Sequence, residues 1–372
     1  MYKRGLRLFV LILALTLITP IIANAQVQVD IQEEYKADLQ FFEDVLSLIK
    51  DRYPFEVDED DLIRTAVKSM LKSLDPYSDY YTKEEAEDLY SSISGNFTGV
   101  GMYIEDKDGY INVVSPMKGQ PAEKAGIKAG DLIIGVDDVD IKDMGVNKVS
   151  SMIKGPAETK VKLTVKRGEE TLTFELVRKF IEINPVHYEI IEGNIGYIRL
   201  DDFSSSASRE INKALTDFNR KGIKKLILDL RDNPGGLLNE AISIGQLLVP
   251  SGPIVHVQEK SGNTLTYRSR LKETKYQLVV LVNENSASAS EILAGAIKDR
   301  KAGVLVGTQT FGKALVQSLM PLTDGSMIKL TTAVYLTPNK TLINGVGIEP
   351  DYIVENDDLE DLQLEKAIEL LK

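Results

Sequence analysis

Between Leu278 and Gly307 the chain reads as strand, polar turn, helix and strand, an order that leaves few folds open. Leu278-Val279-Val280-Leu281-Val282 is short, apolar and rich in β-branched residues, as a strand buried on both faces requires. Asn283 to Ser288 is polar. The run Ile292-Leu293-Ala294-Gly295-Ala296-Ile297 is helical, with Glu291 in its first turn, where the macrodipole favours negative charge. Val304-Leu305-Val306-Gly307 is a second strand, and it ends in the loop Thr310-Phe311-Gly312-Lys313. A right-handed crossover puts both strands in one parallel sheet with their C-terminal ends at the same edge, where ligands and chemistry collect. Ser288 and Lys313, 25 positions apart in the chain (313 minus 288), are therefore expected to be neighbours in space.

A serine hydroxyl is a poor nucleophile until a base takes its proton. The chain has no cysteine, which excludes a cysteine protease, and its two histidines, His187 and His256, lie outside any loop of catalytic character. Lysine serves as a base when neutral, and burial beside apolar groups lowers its pKa from about 10.4 toward the ~7–8 that general-base work needs. Phe311, Gly312, Ala314, Leu315 and Val316 supply such surroundings for Lys313. Acyl transfer also needs donors for an oxyanion. The backbone N–H of Ala289, at the helix start, is one. A second candidate follows the strand Leu226-Ile227-Leu228-Asp229-Leu230, in Arg231-Asp232-Asn233-Pro234-Gly235-Gly236, where two glycines let backbone approach a reacting group; the competing reading is an ordinary Pro-Gly turn.

These residues resemble the C-terminal processing (tail-specific) proteases, which use a Ser-Lys dyad and carry a PDZ domain. The matching words are Leu74-Asp75-Pro76-Tyr77-Ser78-Asp79-Tyr80, Gly99-Val100-Gly101, Leu228 to Gly236, Ser286 to Glu291, Thr310 to Lys313, Gln317 and Gly347-Ile348-Glu349-Pro350-Asp351. The resemblance implies Ser288 as nucleophile, Lys313 as base, Gln317 as the residue that orients the lysine, and Gly235 or Gly236 with Ala289 as the oxyanion hole. It also implies a crotonase-like α/β core, a superhelix of ββα units. The chain departs from the family pattern at Tyr77, where His is usual, at Ala314, where Gly is usual, and at Pro338-Asn339-Lys340-Thr341, where a Pro-Ser-Gly-Arg-like turn is usual. A positive φ at position 314 would strain alanine.

The 372 residues allow two or three domains. Lys3, Arg4 and Arg7, the apolar run Leu8 to Leu17 and the A-x-A site Ala23-Asn24-Ala25 read as an export signal over 1–25; retention of that segment as an anchor is the alternative. Its removal takes away three positive charges and no acid, so the formal charge moves from −12 to −15. An acidic body argues against nucleic acid and anionic membranes as partners, and no later stretch is apolar enough to span a bilayer. Residues 26–92 form a helical region, with Leu39, Phe42, Val45, Leu46 and Ile49 at helical spacing, and Leu62, Ala66, Met70 and Leu74 likewise.

Residues 93–180 resemble a PDZ domain. Gly99-Val100-Gly101 would hold a peptide carboxylate on backbone N–H groups, the peptide would pair with Met102 to Ile104, and Val146 and Val149 would line the pocket for its last side chain. The words Ser69 to Lys72 and Ser151 to Lys154 match a Ser-x-x-Lys pattern by coincidence, since its companion motifs are missing. Residues 184–372 alternate strands and helices and close on the amphipathic helix Leu359 to Leu371, whose Leu364, Ala367, Ile368 and Leu371 face either their own domain or a second subunit. The expectation is thus an exported serine endopeptidase with no cofactor and no metal. Its partners would be proteins with exposed C-terminal tails, with a homo-oligomer or an adaptor left open.

Overall fold

The computed structural model describes residues 36–357 and 359–372; the expected export signal lies outside them. The described residues divide into two compact units between Pro76 and Tyr77. The first holds a helix over 36–52 and the helix Glu59–Lys72, capped by Asp58, whose carboxylate accepts the Asp61 N–H at 3.2 Å. None of the residues of Glu59–Lys72 is buried.

The second unit is built around a six-stranded sheet in the order Val186–Ile191, Ile195–Leu200, Lys225–Asp229, Gln277–Val282, Val304–Gly307, Tyr352–Ile353. The first pair is antiparallel and the rest are parallel. Side chains of a strand alternate between faces. Leu226, Leu228, Val280 and Val282 accordingly pack with helices Ala207–Arg220, Leu238–Leu248 and Ala289–Asp299, while Ile227, Val279 and Leu281 meet Ala367, Ile368 and Leu371 of the last helix. That helix, expected over 359–371 and observed at Leu362–Leu371, thus packs on its own sheet. A second, antiparallel sheet joins Asp79–Tyr81, Met327–Leu336, Gly252–Glu259 and Thr264–Ser269, with Leu315–Pro321 also paired to Met327–Leu336.

A further sheet with its own core contains Met102–Lys107, Tyr110–Pro116, Leu132–Val136, Lys160–Arg167 and Glu170–Val177 in that order, with helices Pro121–Ala125 and Val146–Ile153. It connects to the rest of the unit through a two-stranded ribbon, Asn96–Gly99 against Lys179–Glu182. The helix Lys83–Ser94 precedes the ribbon. Its capping box is complete: Thr82 Oγ1 accepts the Glu85 N–H, and Glu85 accepts the Thr82 N–H.

Candidate active site

Ser288 stands at the mouth of helix Ala289–Asp299 with φ 56° and ψ −111°, a left-handed backbone that few non-glycine residues adopt. Such a conformation costs on the order of 1–3 kcal/mol and persists only when its surroundings over-determine it. They do so here. Asn233 O accepts the Ala287 N–H at 3.0 Å and the Ser290 hydroxyl at 2.9 Å. The Ser286 hydroxyl donates to Leu230 O at 2.7 Å. The Ser288 N–H donates to Glu291 Oε2 at 2.9 Å.

Glu291 is fully buried and receives far more than its own helix offers. Its Oε2 also accepts the Lys313 N–H at 2.9 Å, so the amide nitrogens of Ser288 and Lys313 lie at most twice that distance apart. Its Oε1 accepts the Gly312 N–H at 2.7 Å and the Thr310 hydroxyl at 2.6 Å. One carboxylate therefore fixes both the serine turn and the lysine loop. Tyr335 fastens the other side, its hydroxyl 3.0 Å from Ser288 O and 2.7 Å from Lys313 O. Burial, with the Glu291 charge nearby, pushes this phenol well above its ordinary pKa, so it stays a donor.

Lys313 is half-buried, and its Nζ lies 4.2 Å from the centre of the Tyr77 ring, a cation–π distance. The strain expected of Ala314 does not arise: its φ is not positive, and it is fully buried. The left-handed residue is Gly312 (φ 88°), where an added Cβ would lie 2.8 Å from Gly347 N. Gln317 sits on strand Leu315–Pro321 beside a register shift, and its Nε2 donates to Thr331 Oγ1 at 3.3 Å.

The glycine loop after strand Lys225–Asp229 closes on the serine. Gly235 (φ 102°) comes so near that a Cβ would lie 2.9 Å from both Ser288 Cβ and Ala289 N. Its own N–H is taken by Asn233 Oδ1 at 2.9 Å. Asn233, fully buried, also donates through Nδ2 to Leu200 O at 2.7 Å. The histidines are engaged elsewhere: His187 Nε2 is 3.0 Å from Asp201, and His256 meets Thr266 Oγ1 and Pro338 O.

The second expected site, Gly99 to Ile104, lines a cavity of about 410 Å³ together with Ile153 and Lys154. Val149, expected in its wall, is instead fully buried in the core of its own sheet, and Val146 packs against that core. The helix Val146–Ile153 presents Ser150 and Ile153 to the cavity. The residues that sequence patterns missed are Glu291 as a clamp, Tyr335, Asn233 and the Tyr77 ring. Glu291 was legible only as a charge in a first helical turn.

Residues 194–354 match the model of peptidase family S41, residues 113–167 that of a PDZ domain, and residues 20–85 that of the activating protease CtpB N-terminal domain. A carboxy-terminal-processing protease of Bartonella bacilliformis is 38% identical over 333 residues, covering 87% of this chain and 76% of that protein. This chain belongs to peptidase family S41. Its S41 relatives include a probable CtpA-like serine protease of Staphylococcus aureus, 38% identical over 325 residues, which are 86% of this chain and 65% of that one. A solved photosystem II D1 C-terminal processing protease is 33% identical with a TM-score of 0.52, covering 86% of this chain and 88% of the other. The family is one of serine-type peptidases, and this member carries a PDZ domain.

Proposed function

We propose that this S41 member is an exported endopeptidase that cuts proteins near their C-terminal tails through a Ser288–Lys313 dyad. The observation that carries the reading is the shared Glu291 clamp, which brings the strained serine turn and the lysine loop to one place. Neutral Lys313 takes the proton from Ser288 Oγ as the oxygen attacks the scissile carbonyl carbon. The resulting oxyanion is received by backbone N–H groups of Ala289 and Gly236, since the Gly235 N–H is already occupied by Asn233. Collapse breaks the C–N bond, and the departing amine takes the proton from the Lys313 ammonium. Water, giving a proton to Lys313, then attacks the acyl ester carbon, and the departing Ser288 Oγ takes that proton back from Lys313, which frees the serine hydroxyl and the neutral amine. Gln317, on the strand that follows the lysine, orients Lys313.

In this reading 26–92 is an N-terminal helical region, 93–180 holds the substrate tail and 184–372 cuts it. The body is read as crotonase-like, supported by the antiparallel pair Val186–Ile191 and Ile195–Leu200 followed by helix Ala207–Arg220. Export rests on the basic, apolar and A-x-A segments of 1–25. Purified Ser288→Ala and Lys313→Ala are each expected to lose cleavage of an unfolded protein while keeping the wild-type circular dichroism and melting temperature. Activity retained by either variant would remove the dyad.

A further inference from the structure

Lys313 carries its charge for only part of the proposed cycle. The amine is neutral at rest and becomes an ammonium twice, first with the Ser288 proton and then with a proton from water. Lys313 is half-buried, so its ammonium has lost part of its hydration, and the groups that face Nζ decide how readily the charge forms. The Tyr77 ring lies over Nζ, its centre 4.2 Å away. The face of an aromatic ring carries the negative part of its quadrupole and attracts a cation within about 6 Å. A neutral amine feels that attraction far less.

The ring is held there by the strand that also fixes the lysine. Ser78 is fully buried, and its hydroxyl accepts the Thr331 N–H at 3.1 Å. Asp79–Tyr81 then pairs with Met327–Leu336, with Asp79 opposite Lys329. On the same strand, Thr331 Oγ1 accepts from Gln317 Nε2, and the Tyr335 hydroxyl reaches Lys313 O at 2.7 Å. Tyr77, Gln317 and the lysine backbone therefore share one frame. The other titratable groups on the elements packed here are Glu291, Asp79, Tyr80, Tyr81, Lys329 and Tyr335. Glu291 is taken by N–H and hydroxyl donors, the Lys313 N–H among them. Asp79 Oδ1 accepts the Tyr80 N–H at 2.9 Å, and Lys329 Nζ donates to the Tyr81 hydroxyl at 2.7 Å. Tyr80 is buried.

We propose that Tyr77 is a catalytic side chain beside Ser288 and Lys313: its ring face receives the ammonium that Lys313 becomes, which lowers the barrier to proton transfer from Ser288. The ring gives and takes no proton. The hydrogen passes from Ser288 Oγ to Lys313 Nζ, and the ring stabilises the cation so formed. The inference rests on the Ser288–Lys313 part of the proposed function. It gives a chemical role to the tyrosine that stands where the family pattern usually has His.

The test is the single-turnover rate of cleavage of an unfolded protein, with enzyme in excess, followed across pH. The ring attracts the ammonium equally whether that ammonium is the resting state or is being formed. Its loss should therefore slow the reaction only where the resting lysine is neutral. Tyr77→Leu is expected to lower the high-pH plateau about tenfold and to move the acid limb down by about one pH unit, so that variant and parent converge in acid. Tyr77→Phe, which keeps the ring face, should retain most of the plateau. Replacing Tyr77 by mono-, di- and trifluorinated phenylalanine keeps the shape and strips negative charge from the face step by step, and the plateau should fall at each step. If Tyr77→Leu does not fold, the fluorinated series alone decides. Lost packing would slow the reaction at every pH and ignore the fluorines. A lower plateau with the acid limb in place, or a fluorinated series that keeps the rate of Tyr77→Phe, would overturn the proposal. So would a Tyr77→Phe loss as large as that of Tyr77→Leu, which would assign the effect to the hydroxyl. Lys313→Ala separates the two readings: activity retained there removes the base and this inference with it, whereas an inactive Lys313→Ala beside a flat fluorinated series removes the role of the ring alone.

Discussion

Glu291 decides the site at the scale of single residues. Its four donors come from Ser288, Thr310, Gly312 and Lys313, and hydrogen bonds to a charged acceptor are each worth about 1.5–3 kcal/mol. Glutamine has the same shape but would turn an N–H₂ toward N–H donors. Glu291→Gln is therefore expected to lower kcat about 100-fold or more with a smaller change in KM, and to lower the melting temperature. Tyr335→Phe removes one hydroxyl that reaches two carbonyls and should act in the same direction, more weakly. Steady-state kinetics on both variants, beside thermal melts, is the measurement. An unchanged kcat in Glu291→Gln would mean that the two loops keep their relative position without the clamp.

Among the elements, the last helix has the clearest energetic role. Ala367, Ile368 and Leu371 cover Ile195, Ile227, Val279, Leu281 and Val306 on the otherwise open face of the parallel sheet. Burying a side chain of leucine or isoleucine size contributes about 1.5–3 kcal/mol, against a typical net stability of about 5–15 kcal/mol. Arg231 adds a second attachment. It donates to Asp361 at 2.7 and 2.9 Å and to Asp229 at 2.6 Å, so the start of this helix holds the strand end from which the glycine loop springs. Deleting 362–372 should cost soluble yield and lower the melting temperature by many degrees. A soluble truncation with the parent's melt would show that the sheet face does not need this cover.

Across the molecule, the PDZ core and the peptidase core share no buried residue and are joined by a ribbon of two short strands. Independent melting is the physical expectation, seen as two transitions in scanning calorimetry. Asp131 gives a way to move one of them. Burial alone would raise its pKa, but hydrogen bonds from Arg167 and the Lys128 N–H outweigh that and hold it below the ordinary value. A folded pKa below the unfolded one, near 3.9, means the stabilisation is whole at neutral pH and fades as pH falls below about 4. Asp131→Asn should lower only the PDZ transition at pH 7, and the gap between variant and parent should shrink in acid. A shift of both transitions would show that the two cores melt as one.

The sequence by itself determined the pieces whose signal is local. Short, continuous apolar runs rich in β-branched residues marked Leu278 to Val282 and Val304 to Gly307 as strands, and the handedness of crossovers then put the loops of Ser288 and Lys313 at one sheet edge. Only the tertiary structure decided which residues hold those loops together. Asn233, Tyr335 and Asp361 reach their partners across 22 to 130 positions, and no periodicity records such a contact. The helix Val146–Ile153 makes the same point on a small scale. Its apolar residues were legible from spacing, but which of them face the core and which the cavity depended on the rotation at which the sheet received it, so Val149 went wholly into the core while Ile153, also buried there, borders the cavity beside Ser150. Hydrophobic pattern is a property of consecutive residues, whereas hydrogen-bond satisfaction in a buried site is a property of whatever the fold brings alongside.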